Sequence, residues 1–136
     1  MDTNVLVSAL RSQQGASHKF LRLVGQEKFQ ICVSVPLVLE YESAAKRLIG
    51  STPLSGKIID DILDYLCKVA VHGQIYYLWR PFLPDPKDDM VMELAVSAGC
   101  DFIITFNKKD FKGVEKFGLK TLTPQEFLER IGGHLT

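Results

Sequence analysis

Asp101-Phe102-Ile103-Ile104-Thr105, running on into Phe106-Asn107-Lys108-Lys109-Asp110-Phe111, decides how this 136-residue chain is read. The first five residues have the composition of a β-strand, and three successive apolar side chains leave neither face for water. A strand dry on both faces belongs inside a parallel sheet covered by helices. Residues placed directly after it lie over the C-terminal edge of that sheet, where open α/β sheets bind their ligands. Thr105, Asn107 and Asp110 bring a hydroxyl, an amide and a carboxylate to that edge. A plain turn also uses Asn and Asp, so both readings stand on these residues alone. Lys108 and Lys109 are either phosphate contacts beside the edge or a solvated pair.

The rest of the chain falls into place on either side. Downstream, Lys120-Thr121-Leu122 predicts a last short strand, and Thr123-Pro124-Gln125-Glu126 is a capping box opening a helix over Pro124–Ile131. Upstream, Asp85 is placed as N-cap and Pro86 as first residue of a helix running to Ala98, with Gly99 after it. Gln74–Trp79 predicts a strand and Arg80–Lys87 an irregular, proline-rich passage. Ser55–Val71 carries Ile58, Ile59, Ile62, Leu63, Leu66 and Val69 at helical spacing. Ser34 and Pro36 open a helix to Ile49, stopped by Gly50, with Leu37, Val38, Tyr41, Ala44, Ala45, Leu48 and Ile49 on one arc. Phe29–Val33 predicts a strand and Ala16–Gln26 a helix, and Val5–Leu10 is an apolar segment bound for the core. Strands alternating with helices argue for a three-layer α/β/α domain with a central, mainly parallel sheet. One domain over residues 1–136 is expected, burying roughly two-thirds of the surface its unfolded chain exposes.

Bulk composition excludes little. Apolar residues make up 46% and charged residues 24% of the chain, as in ordinary globular proteins. Lys+Arg and Asp+Glu are equal at 16 each, so any attraction to nucleic acid has to come from a local basic patch. Cys32, Cys67 and Cys100 lack metal or redox spacing and sit in apolar stretches, which predicts buried free thiols in a reducing cytosol. No apolar run approaches the ~18 residues of a membrane span and no basic-then-apolar leader opens the chain, so the expectation is a cytoplasmic protein without a membrane segment. His18, His72 and His134 show no ligand or acid–base spacing, and no P-loop or Gly-x-Gly-x-x-Gly is present.

Acidic residues carry the chemistry. Asp2, Glu40, Asp88 and Asp110 are far apart in sequence, and each falls where an element begins or ends. A parallel α/β fold brings such ends together, and clustered carboxylates call for a hard cation such as Mg²⁺ or Mn²⁺, whose common use is phosphate chemistry. Asp2 is otherwise a solvated terminal residue, with Asn4 adding a second oxygen donor to the same turn. Glu40 lies on the border of a buried helical arc at ~100° per residue, where it needs a partner, either a cation or Arg47. Glu42, on the other edge of that arc, has the poorer case. Asp88 and Asp89 both suit the first turn of a helix through its dipole. Two acids there beside Asp85 exceed what capping requires, and Asp88 is preferred to Asp89 as ligand.

These segments together resemble the PIN domain. Its members carry an opening Asp-Thr-Asn before apolar residues, here Asp2-Thr3-Asn4 before Val5 to Leu10. They carry a Ser-initiated helix with Glu six residues on, here Ser34 to Glu40, and an Asp-Pro-x-Asp-Asp helix start, here Asp85 to Asp89. A strand ending in Ile-Ile-Thr-x-Asp/Asn and followed by Asp-Phe is matched by Cys100 to Phe111. The match spans nearly the whole chain in the right order. It implies a metal-dependent ribonuclease, often the toxin of a toxin–antitoxin pair and usually a homodimer. Carried over by position, Asp2, Glu40 and Asp88 are metal ligands, with Asn107 or Asp110 supplying the last donor and Asn4, Asp89 and Thr105 in support. Relatives often have Asp at the position of Asn107, and a neutral amide there lowers cation affinity. They also have four or five apolar residues ahead of the Asp-Thr-Asn, forming the central first strand. Here only Met1 precedes it, so a first strand truncated before Asp2 is expected.

The implied reaction is hydrolysis of an RNA phosphodiester by one or two ions, leaving a 5′-phosphate and a 3′-hydroxyl. Two other classes fit part of the pattern. A Mg²⁺-dependent phosphatase-like enzyme also uses an N-terminal Asp at a strand end, although Asp2-Thr3-Asn4 lacks its Asp-x-Asp. A non-catalytic RNA-binding or protein-interaction module with a degenerate metal site accommodates Asn107.

Overall fold

Side-chain caps set where the long helices begin. The Ser34 hydroxyl accepts the Leu37 N–H at 3.3 Å, the Ser55 hydroxyl the Ile58 N–H at 3.2 Å, and the Asp85 carboxylate the Lys87 N–H at 2.9 Å. Each satisfies a backbone donor that a helix start leaves unpaired. The computed structural model describes residues 1–73 and 82–132. In chain order these form α1 (Thr3–Arg11), α2 (Ala16–Leu23), β1 (Cys32–Val33), α3 (Val35–Lys46), α4 (Gly56–Val69), β2 (Val71–His72), α5 (Pro86–Ser97), β3 (Phe102–Ile104), β4 (Lys120–Leu122) and α6 (Pro124–Gly132). Two short 3₁₀ turns, Lys108–Phe111 and Val114–Phe117, separate β3 from β4.

The fold is α/β with parallel strand pairing. β1 pairs with β2 through Cys32–Val71 and Val33–His72, and β3 pairs with β4 through Phe102–Lys120, Ile103–Thr121 and Ile104–Leu122. Among the described residues these are two separate two-stranded sheets, where a single central sheet was expected. Helix α5 packs against both β1 and β3, and α1 against α2 and α3. Phe20, Phe29 and Phe127 pack ring on ring with centroids 4.9 to 5.5 Å apart, joining α2 to α6 inside one apolar core.

Several expected boundaries shift, each for a local reason. The Ala16 helix ends at Leu23, three residues early, because the chain leaves through Gly25 at φ +86°. A β-carbon on Gly25 would collide with the Tyr65 hydroxyl. Pairing in the Phe29–Val33 strand is confined to Cys32–Val33, its partner strand being only two residues long. The Ser34 helix closes at Lys46, short of Ile49, because Leu48 and Ile49 turn back to carbonyls three residues behind and the Leu48 carbonyl is taken by Ser51 and Thr52. The Ser55 helix stops at Val69. Val71, expected as its last residue, instead donates to the Ile31 carbonyl at 2.9 Å and starts β2. Helix α5 and strand β3 end within a residue of expectation. The strand expected over Gln74–Trp79 lies outside the described residues. The three cysteines are half-buried thiols and less sequestered than expected, with Cys100 donating to Cys32 at 2.9 Å. Among the described residues no helix is long and apolar enough to cross a membrane.

The capping box forms in both directions, Thr123 N–H to the Glu126 carboxylate at 2.9 Å and Glu126 N–H to the Thr123 hydroxyl at 3.2 Å. Ser34 is buried at 2% exposure, so its cap has no water to replace it. Ser34→Ala should cost about 1 kcal/mol, read as a lower urea midpoint at unchanged m-value.

Candidate active site

Asp2 ties the front of α1 to the end of β3. Its N–H donates to the carbonyl of Ile104, the last residue of β3, at 2.8 Å. One carboxylate oxygen accepts the Thr3 N–H at 2.8 Å, making Asp2 the N-cap of α1, and the other accepts the Thr105 hydroxyl at 2.7 Å. Thr105 in turn accepts the Asn107 N–H at 3.0 Å. The run Asn107–Thr105–Asp2 therefore fixes one carboxylate rigidly at the strand end. Both Asp2 and Thr105 are buried.

Charge accumulates around it. Burial pushes the Asp2 carboxyl above its usual range, and Asp110 adds repulsion, against the lowering pull of Thr105, the α-ammonium of Met1 and Thr3. Asp88, in the first turn of α5, is pushed up to about 6, first by burial and then by the charges of Asp2, Asp85 and Asp110. Asp2, Asp88 and Asp110 thus come near enough to feel one another. The ion pairs of the described residues include none of the three.

Other expected members have different surroundings. Glu40 is held by the Lys87 ammonium at 3.4 Å, so the partner expected in Arg47 is replaced by one from α5. Arg47 instead donates to the Ser43 hydroxyl at 3.3 Å. Asp89 is buried and accepts the N–H groups of Phe82 and Leu83, both at 3.0 Å, which anchors the segment leading into α5. Asn4 has a buried side-chain oxygen without a hydrogen-bond partner, a cost normally offset by a ligand, ion or water. Lys108, expected on phosphate, pairs with Glu126, while Lys109 and Asn107 are exposed.

Helical spacing places Tyr41 only in the core, yet it borders this site. Fully buried on α3, it donates its hydroxyl to the Met1 carbonyl, immediately ahead of Asp2. Burial and then the Asp2 charge push its phenol far up, keeping it a donor. A buried Tyr needs a partner for its hydroxyl, and that was the available signal.

The donors fit a hard divalent cation in kind: carboxylates under mutual repulsion beside an orphaned amide oxygen. Their spacing does not make a closed shell. Among the described residues no three His, Cys, Asp or Glu side chains are gathered so as to hold a metal ion by themselves. Of the four acids, Asp2, Asp88 and Asp110 act on one another electrostatically, and Glu40 pairs with Lys87.

The family model for the PIN domain matches residues 1–109, which includes Asp2, Glu40, Asp88 and Asn107 and stops one residue short of Asp110. This chain belongs to the PIN domain family, whose members are generally metal-dependent nucleases. Comparison with curated proteins and with solved structures returns no match.

Proposed function

We propose that this protein is a cytoplasmic Mg²⁺- or Mn²⁺-dependent endoribonuclease, the toxin of a toxin–antitoxin pair, acting as a homodimer. We further propose that its two strand pairs belong to one three-layer α/β/α core. The observation that carries the catalytic reading is the mutual repulsion of Asp2, Asp88 and Asp110, with Asp88 raised to about 6 and no described ion pair to relieve it. Carboxylates kept under such strain are characteristic of functional sites.

In this reading Asp2, Glu40 and Asp88 hold the cation, with Asp110, Asn107 and Asn4 as further oxygen donors. When bound, the ion supplies charge to a phosphoryl oxygen and acidifies a water. The hydrogen bond that the Thr105 hydroxyl donates to Asp2 favours the charged carboxylate and aims it. Glu40 becomes available only as Lys87 lets go, and Lys87 is then free to meet the departing 3′ oxygen. The exposed pair of Val35 and Leu39, one turn apart on α3, supports a protein partner.

Cleavage of RNA with Mg²⁺ or Mn²⁺, abolished by chelator and by Asp2→Asn with Glu40→Gln, is the expected result. Cleavage indifferent to both sinks the proposal. Lys87→Ala should tighten Mn²⁺ binding two- to fivefold by releasing Glu40, the size of an exposed ion pair, as read by calorimetry. A second reading, a non-catalytic module with a degenerate site, is favoured by the unclosed donor shell and by Asn107. Absence of any calorimetric Mn²⁺ signal selects it.

A further inference from the structure

A nuclease of zero net charge must hold its substrate by a local arrangement of cations, and most lysines near the site are already engaged. Lys87 is on Glu40, Lys108 on Glu126, and Lys46 on Glu42 and Asp60. Two arginines are not. An open groove of about 480 Å³ runs between α1 and α3, lined by Asn4 and Arg11 from the first helix and by Glu40 and Arg47 from the second. This volume is in the ~300–1,000 Å³ range of ligand clefts. Neither Arg11 nor Arg47 enters an ion pair among the described residues, and Arg47 uses one of its donors on Ser43.

The register of the four residues gives the groove a direction. Asn4 and Arg11 are seven residues apart, and so are Glu40 and Arg47. Seven residues are nearly two full helical turns, which puts each pair on one face about 10 Å apart. Each arginine therefore lies about two helical turns along its own helix from the oxygen donor that shares its face, Asn4 for Arg11 and Glu40 for Arg47. That separation places their guanidinium forks on a different phosphate from the one at the carboxylates.

Resting on the nuclease reading above, we propose that the groove between α1 and α3 is the track for the RNA backbone, with Arg11 and Arg47 binding phosphates that flank the one at Glu40 and Asn4. The arrangement holds single-stranded RNA by its charge and leaves the bases unread, so affinity varies little with sequence.

The test uses a fluorescein-labelled, mixed-sequence RNA 12-mer, titrated in Mn²⁺ at several salt concentrations into an Asp88→Asn background. Adding Arg11→Ala and Arg47→Ala should weaken binding about tenfold each and lower the slope of log K against log[salt] by roughly 1.4 for two lost contacts. Lysine at both positions should keep the slope, and a lysine pair that loses it overturns the charge-based track. In the otherwise unaltered protein the alanine pair should raise KM and leave kcat within twofold. Melting curves check that the double variant is folded, since both side chains are exposed. Unchanged affinity and slope overturn the track while leaving cleavage standing. Failure of the parent protein both to bind and to cleave RNA removes the nuclease reading, and the track with it.

Discussion

Replacing Asp88 with Asn is expected to remove RNA cleavage and, in chelator, to make the protein more stable. The carboxyl of Asp88 sits at about 6 in the folded chain against an ordinary 3.8. Below about pH 4 it is protonated in both states and costs nothing. Between there and pH 6 the unfolded chain gives up the proton that the folded chain retains, so stability falls as pH rises through this window. Above it the penalty is complete. With partial exposure to screening solvent, the penalty comes to about 1 kcal/mol, or roughly 3–5 °C in Tm for a domain of this size. Asn lifts it at neutral pH, and the pH dependence between 4 and 6 should flatten with it.

Activity should move the other way. Loss of a charged oxygen donor from the proposed ion site should lower cleavage at least a hundredfold. Thermal melts with and without Mn²⁺ separate the two effects: wild-type Tm should rise with Mn²⁺ by mass action and that of Asp88→Asn should not. A variant that is less stable in chelator, or that still cleaves, contradicts the proposed role. Gain of stability with loss of function is the signature of a site whose charges are held together for use.

Tyr41→Ala should have the largest effect on folding. The ring is fully buried, and truncating a buried aromatic costs about 3–5 kcal/mol, against a total of about 5–15 for a domain. Tyr41→Phe keeps the packing and strands the Met1 carbonyl, for about 1–3 kcal/mol. Urea denaturation gives both numbers. Because the hydroxyl holds the residue next to Asp2, the Phe variant should also lose cleavage beyond what its stability explains, whereas a purely structural Tyr41 would leave the folded fraction fully active.

Much of the fold was legible where the signal is local. Ser34 with Pro36, Asp85 with Pro86, and Thr123 with Glu126 mark helix starts through atoms two or three residues apart, and the structure places all three there. Strands β3 and β4 were likewise readable, one from its unbroken apolar run and the other from its position before the capping box. What failed was set at long range. Val71 continues a helical apolar pattern, and only the Ile31 carbonyl, just ahead of β1 and far back in the chain, draws it into β2. The single central sheet is a separate matter: alternation of elements does not say which strand edges meet, and the described residues show two parallel pairs.

The candidate site divides the same way. Residue types single out Asp2, Glu40, Asp88 and Asp110 without coordinates, because oxygen chemistry belongs to the residues themselves, although only Asp2 and Asp88 sit at helix starts and Glu40 lies in the second turn of α3. Which acids share a field, and which cation each one meets, depends on distances between helices. Helical spacing offered Arg47 to Glu40, while packing of α3 against α5 delivers Lys87. Two neighbouring aspartates of equal capping value, Asp88 and Asp89, part company because only Asp89 turns inward to the N–H groups of Phe82 and Leu83. Coulomb energy and hydrogen bonding act through space over a few ångströms, and that proximity is created by the folded packing of segments remote along the chain.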